Sequence, residues 1–285
     1  MTLDLSRWPD GLAPVRTLLD PDSARALNGE PSAHNRVLRL AAGLDEEALC
    51  DSVLIRNALM LLEETRGEQD MMWISSSSGC LMMKCVSKLR SVIGWPGLEA
   101  TEQMRRGKTY REQAVKELHL LRLLVQGAGL IRAGGPWFEL TPLGERMLEP
   151  DRRGELQARL FHHAFWRVDL SRFLPVYFPG KLPGRWPQGD IGVILWGLSA
   201  VAQRWQSTAT LTALCAVGEA SQPRSNLAST MFAWRVLWPL RWFGLLESRG
   251  RDGMFDVGWR KSALFDRFLS FDVAVKDDHR AGSGH

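Results

Sequence analysis

The side chains with the clearest chemical potential are cations at the tip of a predicted hairpin. Arg249 and Arg251 alternate with glycine and an acid in the run 248–253. A guanidinium group can hold a phosphate through two parallel hydrogen bonds, so this spacing favours contact with a nucleic-acid backbone. The full set of candidate nucleic-acid-binding residues is Arg249, Arg251, Arg105, Arg106, Lys108, Arg111, Lys84, Lys88, Arg235 and Arg241. The alternative interpretation is a set of solvated surface charges.

Histidines and cysteines form no recognisable catalytic or metal-binding pattern. His162 and His163 are adjacent on a predicted helix, where neighbouring side chains point about 100° apart and cannot ligate one ion as an i, i+4 pair would. His119 lies in a leucine-rich helix with no identifiable partner. The four cysteines are Cys50, Cys80, Cys85 and Cys215. They show neither a CxxC spacing nor a Cys/His cluster, so we predict no disulfide framework, no metal site and no cofactor.

Two small-residue segments also lack catalytic motifs. The serine run 75–78 has neither the GxSxG elbow nor an SxxK pair of serine hydrolases. The glycines of 127–129 do not form the GxGxxG fingerprint of dinucleotide-binding proteins, and a helix cap explains them. The sequence therefore predicts a protein that is not an enzyme.

The elements that position the cations occur twice along the chain. Gly129-Leu130 is followed by a short hairpin and by Thr141, and Gly244-Leu245 is followed by a hairpin and by Ser262. The second hairpin is longer by six residues, because 18 positions separate Gly244 from Ser262 and 12 separate Gly129 from Thr141. Each copy predicts a helix that ends at glycine, a hairpin, and a helix capped by a hydroxyl.

That order of elements is typical of a winged helix-turn-helix, in which a helix enters the major groove and a hairpin wing reaches the flanking backbone. We therefore predict a mainly α fold with short β-hairpins, organised as two winged helix-turn-helix-like lobes in tandem. Helices are predicted at 22–27, 34–42, 45–66, 80–93, 110–126, 156–166, 191–205, 208–217 and 227–242, and a strand at 71–74. Helices 80–93 and 110–126 are the candidate DNA-contacting helices of the first lobe.

Composition divides the chain into five predicted parts. They are an acidic helical segment at 1–70, the first lobe at 71–174, a proline-rich junction at 175–190, the second, tryptophan-rich lobe at 191–275, and a disordered tail at 276–285 that resembles a cloning linker. Residues 1–70 carry 13 acidic and 7 basic side chains, a balance of −6, so the overall +4 leaves +10 on residues 71–285. The basic lobes favour an anionic partner.

Seven of the twelve tryptophans fall in the last hundred residues. Exposed tryptophans beside cations form stacking platforms for single-stranded nucleic acid, whereas buried ones build a core. Trp234 and Trp238 have i, i+4 spacing along an apolar helix face, which favours the core.

The order of short motifs also carries a resemblance. Its residues are the segment 74–81, Leu118-His119-Leu120-Leu121, Ala128-Gly129-Leu130-Ile131-Arg132, Leu140-Thr141-Pro142-Leu143-Gly144 and Trp242-Phe-Gly-Leu-Leu246. Over about residues 50–271 the chain resembles a family of bacterial plasmid and mobile-element proteins of uncharacterised activity. The resemblance implies two winged-helix-like lobes and supplies no site residue. Ser75-Ser76-Ser77 stands where the family has a Leu-Thr pair, so a weaker first strand is expected.

We accordingly predict a non-enzymatic DNA-binding protein, regulatory or accessory to a mobile-element or defence system, that contacts phosphates of duplex DNA through its basic wings and helices. The alternative is a protein-interaction or scaffold module, or a homodimer, with the tryptophan-rich second lobe as the contact surface. Residues 1–30 lack the pattern of a secretory signal, and the longest apolar run, 191–202, is shorter than the about 20 residues that span a bilayer. A cytoplasmic location without a membrane partner is expected.

Overall fold

The computed structural model describes residues 14–32, 34–67, 72–95, 98, 102–104, 107–173, 185–216, 226–250 and 257–276 of the 285-residue chain. The described residues are mostly helical with small antiparallel sheets, as predicted. Among them, no helix combines the length and the apolar composition that crossing a bilayer requires.

The first half of the chain contains α1 (Pro21–Asn28), β1 (Leu38–Leu40), α2 (Val53–Arg66), α3 (Met83–Val92), α4 (Lys116–Gly127), β2 (Ile131–Ala133), β3 (Phe138–Leu140), α5 (Pro142–Met147) and α6 (Arg153–His162). The second half contains α7 (Ile191–Val201), β4 (Gln206–Ser207), α8 (Thr208–Cys215), α9 (Asn226–Phe232), α10 (Trp238–Trp242), β5 (Leu246–Arg249), β6 (Gly258–Lys261), α11 (Ala263–Phe268) and β7 (Leu269–Phe271). One π-helical turn, Ala233–Leu237, makes α9 and α10 a continuous helix, and another, His163–Arg167, extends α6.

The sequence repeat is reproduced at the level of single hydrogen bonds. Gly129 and Gly244 adopt φ values of 77° and 75°, in the left-handed region where glycine has no Cβ penalty. The Thr141 hydroxyl donates to the Gly129 carbonyl at 2.7 Å, and the Ser262 hydroxyl donates to the Gly244 carbonyl at 2.6 Å. Each hydroxyl thus ties the start of the following helix to the end of the preceding one.

Both repeats also share an order of secondary structure: helix, short strand, helix, helix, hairpin. In the second, β4 pairs with β6 and β6 pairs with β5, so the first strand lies beside the last. In the first, Trp73 forms an antiparallel bridge with Trp137 beside β3, which places the short segment Trp73–Ile74 in the position of β4. The bridge is shorter than a strand, in line with the expected weakness of this segment.

A single apolar core joins the two repeats. Phe161 of α6 makes an edge contact with Phe243 after α10, with ring centroids 5.1 Å apart. Gln157, fully buried on α6, accepts a hydrogen bond from Ser52 Oγ and donates to the Phe243 carbonyl, both at 2.9 Å. The lobes are therefore packed halves of one structure.

The N-terminal part is integrated into this structure. β1 pairs with β7, joining residues 38–40 to residues 269–271, and α2 packs against α4 and β3. The helix predicted at 34–42 is wrong: Leu38 is buried, Arg39 is exposed, and the alternation follows a strand. The helix predicted at 45–66 begins only at Val53, after a turn in which Asp45 accepts a hydrogen bond from the Ala48 amide at 2.8 Å.

Candidate nucleic-acid interface

The three-stranded sheet β4–β6–β5 has an apolar inner face and a cationic outer face. Leu246 and Trp259 point inward and are 3% and 0% exposed. Because side chains alternate along a strand, Glu247, Arg249 and Arg260 belong to the opposite face. The outer face therefore carries Arg249 and Arg260, whereas Lys261, paired in register with the inward-facing Leu246, belongs to the inner side.

Trp205, immediately before β4, is the centre of this outer face. The Arg249 guanidinium carbon lies 4.7 Å from the centroid of the Trp205 ring, and that of Arg260 lies 4.8 Å from it. Gly258 faces Arg249 across the hairpin, and a Cβ at this position would come within 3.1 Å of the Arg249 side chain. Glycine thus leaves the space that Arg249 crosses to reach the indole. We call Trp205, Arg249 and Arg260 the Arg–Trp–Arg cluster.

The two arginines of the cluster differ electrostatically. Arg260 pairs with Glu247 on the neighbouring strand at 2.5 Å, which offsets its charge. Arg249 is exposed, and within the described part of the chain it forms no ion pair with a carboxylate. A guanidinium stacked on an indole keeps its N–H edge directed to solvent, so Arg249 can accept an anion such as a phosphate.

Of the two helices of the first lobe that are predicted to contact DNA, α4 is covered by the protein itself, whereas α3 is exposed along one side. Along α4 (Lys116–Gly127), Gly127 at the C-terminal end is the exposed position. His119 packs on Phe173 with ring centroids 5.6 Å apart, and a Cβ on Gly127 would clash with the His163 imidazole at 2.0 Å. The turns that follow α6 therefore occupy the face of α4 that a groove would need.

The continuous helix formed by α9 and α10 is equally buried. Arg235 is 0% exposed and donates a hydrogen bond to the Trp186 carbonyl, so the prediction that it contacts nucleic acid is wrong. Burial lowers the pKa of Arg235 from its ordinary value, and the charge of Asp169 acts in the opposite direction. Arg241 is half-buried with its guanidinium 5.1 Å from the Trp238 ring centroid. Arg235 is therefore held inside the protein, whereas the half-buried Arg241 stays a predicted contact residue.

The predicted cations of the first lobe that the structure describes are exposed and lie around α3. Lys84 sits 5.4 Å from the Trp73 ring centroid, and Lys88 pairs with Glu64 at 3.4 Å. Lys108 borders a cleft of about 900 Å³ that is also lined by Arg56 and Arg90. Arg111 is exposed. The remaining predicted residues, Arg105, Arg106 and Arg251, lie outside the described residues.

Arg260 was not predicted from the sequence as a binding residue, and Trp205 was predicted to end a helix. Both depend on strand register, which pairs Arg260 with Glu247 and brings β4 alongside β6. The alternation Gly258-Trp259-Arg260 was the available signal, since a buried tryptophan fixes which neighbours face outward.

A second polar group is buried in the first lobe. Glu112, 0% exposed, receives the Arg122 Nε–H at 2.9 Å on one carboxylate oxygen and the Leu81 amide at 2.5 Å on the other. His119 Nδ1 lies 2.5 Å from the same Glu112 oxygen that Arg122 contacts. Burial acts to raise the pKa of Glu112, but the hydrogen bond with His119 and the charge of Arg122 outweigh it, so the pKa lies below its ordinary value. Cys80 borders this group.

Comparison with known proteins gave no match: neither a protein-family model, nor a curated protein, nor a solved structure matches this chain.

Proposed function

We propose that the chain is a nucleic-acid-binding protein of two winged helix-turn-helix-like lobes, acting without catalysis as a regulatory or accessory component of a mobile-element or defence system. The order of elements and the strand order β4–β6–β5, with the first strand beside the last, support the winged-helix interpretation. The observation that carries the function is the Arg–Trp–Arg cluster on the longer hairpin, with Arg249 exposed.

The buried helices determine the mode of binding. Since α4 and the continuous helix of α9 and α10 are covered, the side chains available for contact are on the second hairpin and around α3. A hairpin wing reaches the flanking phosphates, and phosphate contacts fix position without reading sequence. We therefore propose backbone-directed, weakly sequence-selective binding of duplex DNA by a cytoplasmic protein.

Titration of labelled duplex and single-stranded DNA in a gel-shift assay at two salt concentrations tests the proposal. Duplex binding at low salt that weakens steeply at higher salt is the expected result, because phosphate contacts release counterions. Absence of binding to duplex at low salt would refute it. Preferential binding of single strands would reassign Trp205 from an anchor of Arg249 to a base-stacking platform.

A protein-interaction role is the second candidate, and one observation favours it. Met82, Met83 and Val92 are exposed at the two ends of α3, with exposed fractions of 42%, 50% and 40%. Of the second-lobe tryptophans, Trp196, Trp238, Trp242 and Trp259 are buried in the core, so only the half-buried Trp205 and Trp234 could contribute to such a surface. Size-exclusion chromatography with light scattering separates the candidates: a monomer that binds duplex supports the first, and a dimer or stable complex without DNA binding supports the second.

A further inference from the structure

Three potential metal ligands from separate parts of the chain converge in the first lobe. Cys80 ends the turn that precedes α3, Glu112 begins a 3₁₀ turn, and His119 lies in the first half of α4. One donor atom from each lies within 4.8 Å of the other two. The sequence does not reveal this set, because neither the spacing from Cys80 to Glu112 nor the spacing from Glu112 to His119 matches a common zinc motif.

We propose that Cys80, Glu112 and His119 form a binding site for a single zinc ion. Thiolate, imidazole and carboxylate together suit Zn²⁺ and disfavour Mg²⁺ and Ca²⁺, which take oxygen ligands. Tetrahedral bonds of zinc length place donor atoms about 3.3–3.8 Å apart. His119 Nδ1 and Glu112 Oε1, which lie 2.5 Å apart, must therefore separate slightly to bind the same ion.

The surroundings of the three ligands fit a metal centre. The carboxylate of Glu112 is held by Arg122 Nε on one oxygen and by the Leu81 amide on the other, which is how metal-binding carboxylates are commonly oriented. Arg122 also contacts Gln126 Oε1 at 2.6 Å and the Phe138 ring at 5.6 Å, so it can remain as an outer partner once its NH2 group, 3.3 Å from His119 Nδ1, moves off that nitrogen.

Access to solvent also agrees with this assignment. A Cys80 thiolate and the Glu112 carboxylate balance the two positive charges of zinc, but the buried Arg122 cation then shares Glu112 with the metal, a cost that the metal–ligand bonds must offset. Cys80 is 7% exposed and Glu112 is 0% exposed, whereas the His119 side chain is 18% exposed. His119 is therefore the ligand most accessible to solvent, from which water could supply the fourth ligand. A zinc ion at this site would link helix α4 with the turn that precedes α3.

Cobalt titration of the full chain without an affinity tag, after chelator treatment, tests the site directly. Co²⁺ is expected to give a thiolate-to-metal charge-transfer band and tetrahedral d–d bands that saturate at one equivalent and disappear when Zn²⁺ is added. Absence of these bands in the parent protein would overturn the proposal, and Glu112 would then be only a buried partner of Arg122. The readout involves no DNA, so it is separate from the proposed function.

Matched cysteine variants identify the ligands. Cys80→Ser should abolish the charge-transfer band, while Cys85→Ser, which changes a buried cysteine outside the cluster in the same lobe, should retain it. His119→Gln, with folding verified by circular dichroism, should weaken Zn²⁺ affinity by more than the roughly 10–100-fold expected for loss of an outer-shell partner. Retention of the band in Cys80→Ser, or equal loss in Cys85→Ser, contradicts the assignment.

Discussion

The two hairpins of this chain have the same register but opposite charge patterns. In the first, Arg132 on β2 faces Glu139 on β3, and in the second, Glu247 on β5 faces Arg260 on β6. At the next turn-proximal position the first hairpin has Gly134, whereas the second continues with Arg249 against Trp205. The shared hairpin backbone thus carries an exposed arginine stacked on tryptophan in the second copy and a glycine in the first, which indicates that the fold and the binding surface are specified by different residues.

The largest expected effect tests the inward face of the second hairpin. Trp259 is 0% exposed and its Nε1 donates to Thr208 Oγ1 at 2.8 Å, so Trp259→Ala should lower the free energy of unfolding by about 3–5 kcal/mol. Urea denaturation followed by circular dichroism measures it. Trp259→Phe, which keeps a ring but not the N–H, should cost less. A loss under about 1 kcal/mol for the alanine variant would show that the face is not packed as described.

The next largest loss of stability is expected from substituting the two equivalent glycines, Gly129 and Gly244. Gly129→Ala and Gly244→Ala should each cost about 1–2 kcal/mol from left-handed backbone strain. A Cβ on Gly244 would also lie 3.1 Å from the backbone of Asp51 and Ser52, adding about 1–3 kcal/mol, while nothing lies within 4 Å of one on Gly129. Thermal denaturation of the pair should rank Gly244→Ala as the less stable. Equal stability would mean that the second repeat does not press against residues 51–52.

Gln157→Leu tests whether the lobes behave as one unit. The substitution leaves the buried carbonyl of Phe243 without its donor, and we expect a loss of about 1–3 kcal/mol with a single calorimetric transition. Gln203→Leu is the control, because Gln203 is an exposed glutamine whose change should stay within about 0.5 kcal/mol. Two resolved transitions in the Gln157 variant would indicate lobes that unfold independently.

The smallest effect concerns DNA affinity and the first hairpin. Arg132 is exposed and pairs with Glu139 at 3.5 Å, so removing it should leave duplex affinity unchanged in a fluorescence anisotropy titration. If Arg132→Ala weakens binding as much as Arg249→Ala does, both hairpins contact DNA and the contrast between them fails.

Local signals predicted much of this fold. The glycine caps, the hydroxyl helix start at Thr141 and the difference in hairpin length depend on neighbouring residues, and the structure confirms the side-chain cap at Thr141. Ser262, also predicted to cap a helix, starts that helix without a capping hydrogen bond, because its hydroxyl donates to the Gly244 carbonyl. Properties that depend on distant contacts escaped prediction. The sequence predicts Arg235 as an exposed cation on a helix. In the structure its side chain is fully buried and donates to the carbonyl of Trp186, a residue distant in the sequence.

The candidate sites show the same division. Arg249 was recognisable from its place at a predicted hairpin tip, but its stacking on Trp205 required the pairing of β4 with β6. Likewise Cys80, Glu112 and His119 converge only after a turn, a 3₁₀ turn and a helix pack together. Residue spacing along the chain does not show which distant residues come into contact in the folded protein.

The salt dependence of duplex affinity in the parent protein, Arg249→Ala and Arg132→Ala tests the central claim most directly. If Arg249 contacts a phosphate, the slope of log affinity against log salt concentration should fall in magnitude by roughly 1 in Arg249→Ala and stay at the parental value in Arg132→Ala. Identical slopes for all three proteins would contradict binding through the second hairpin.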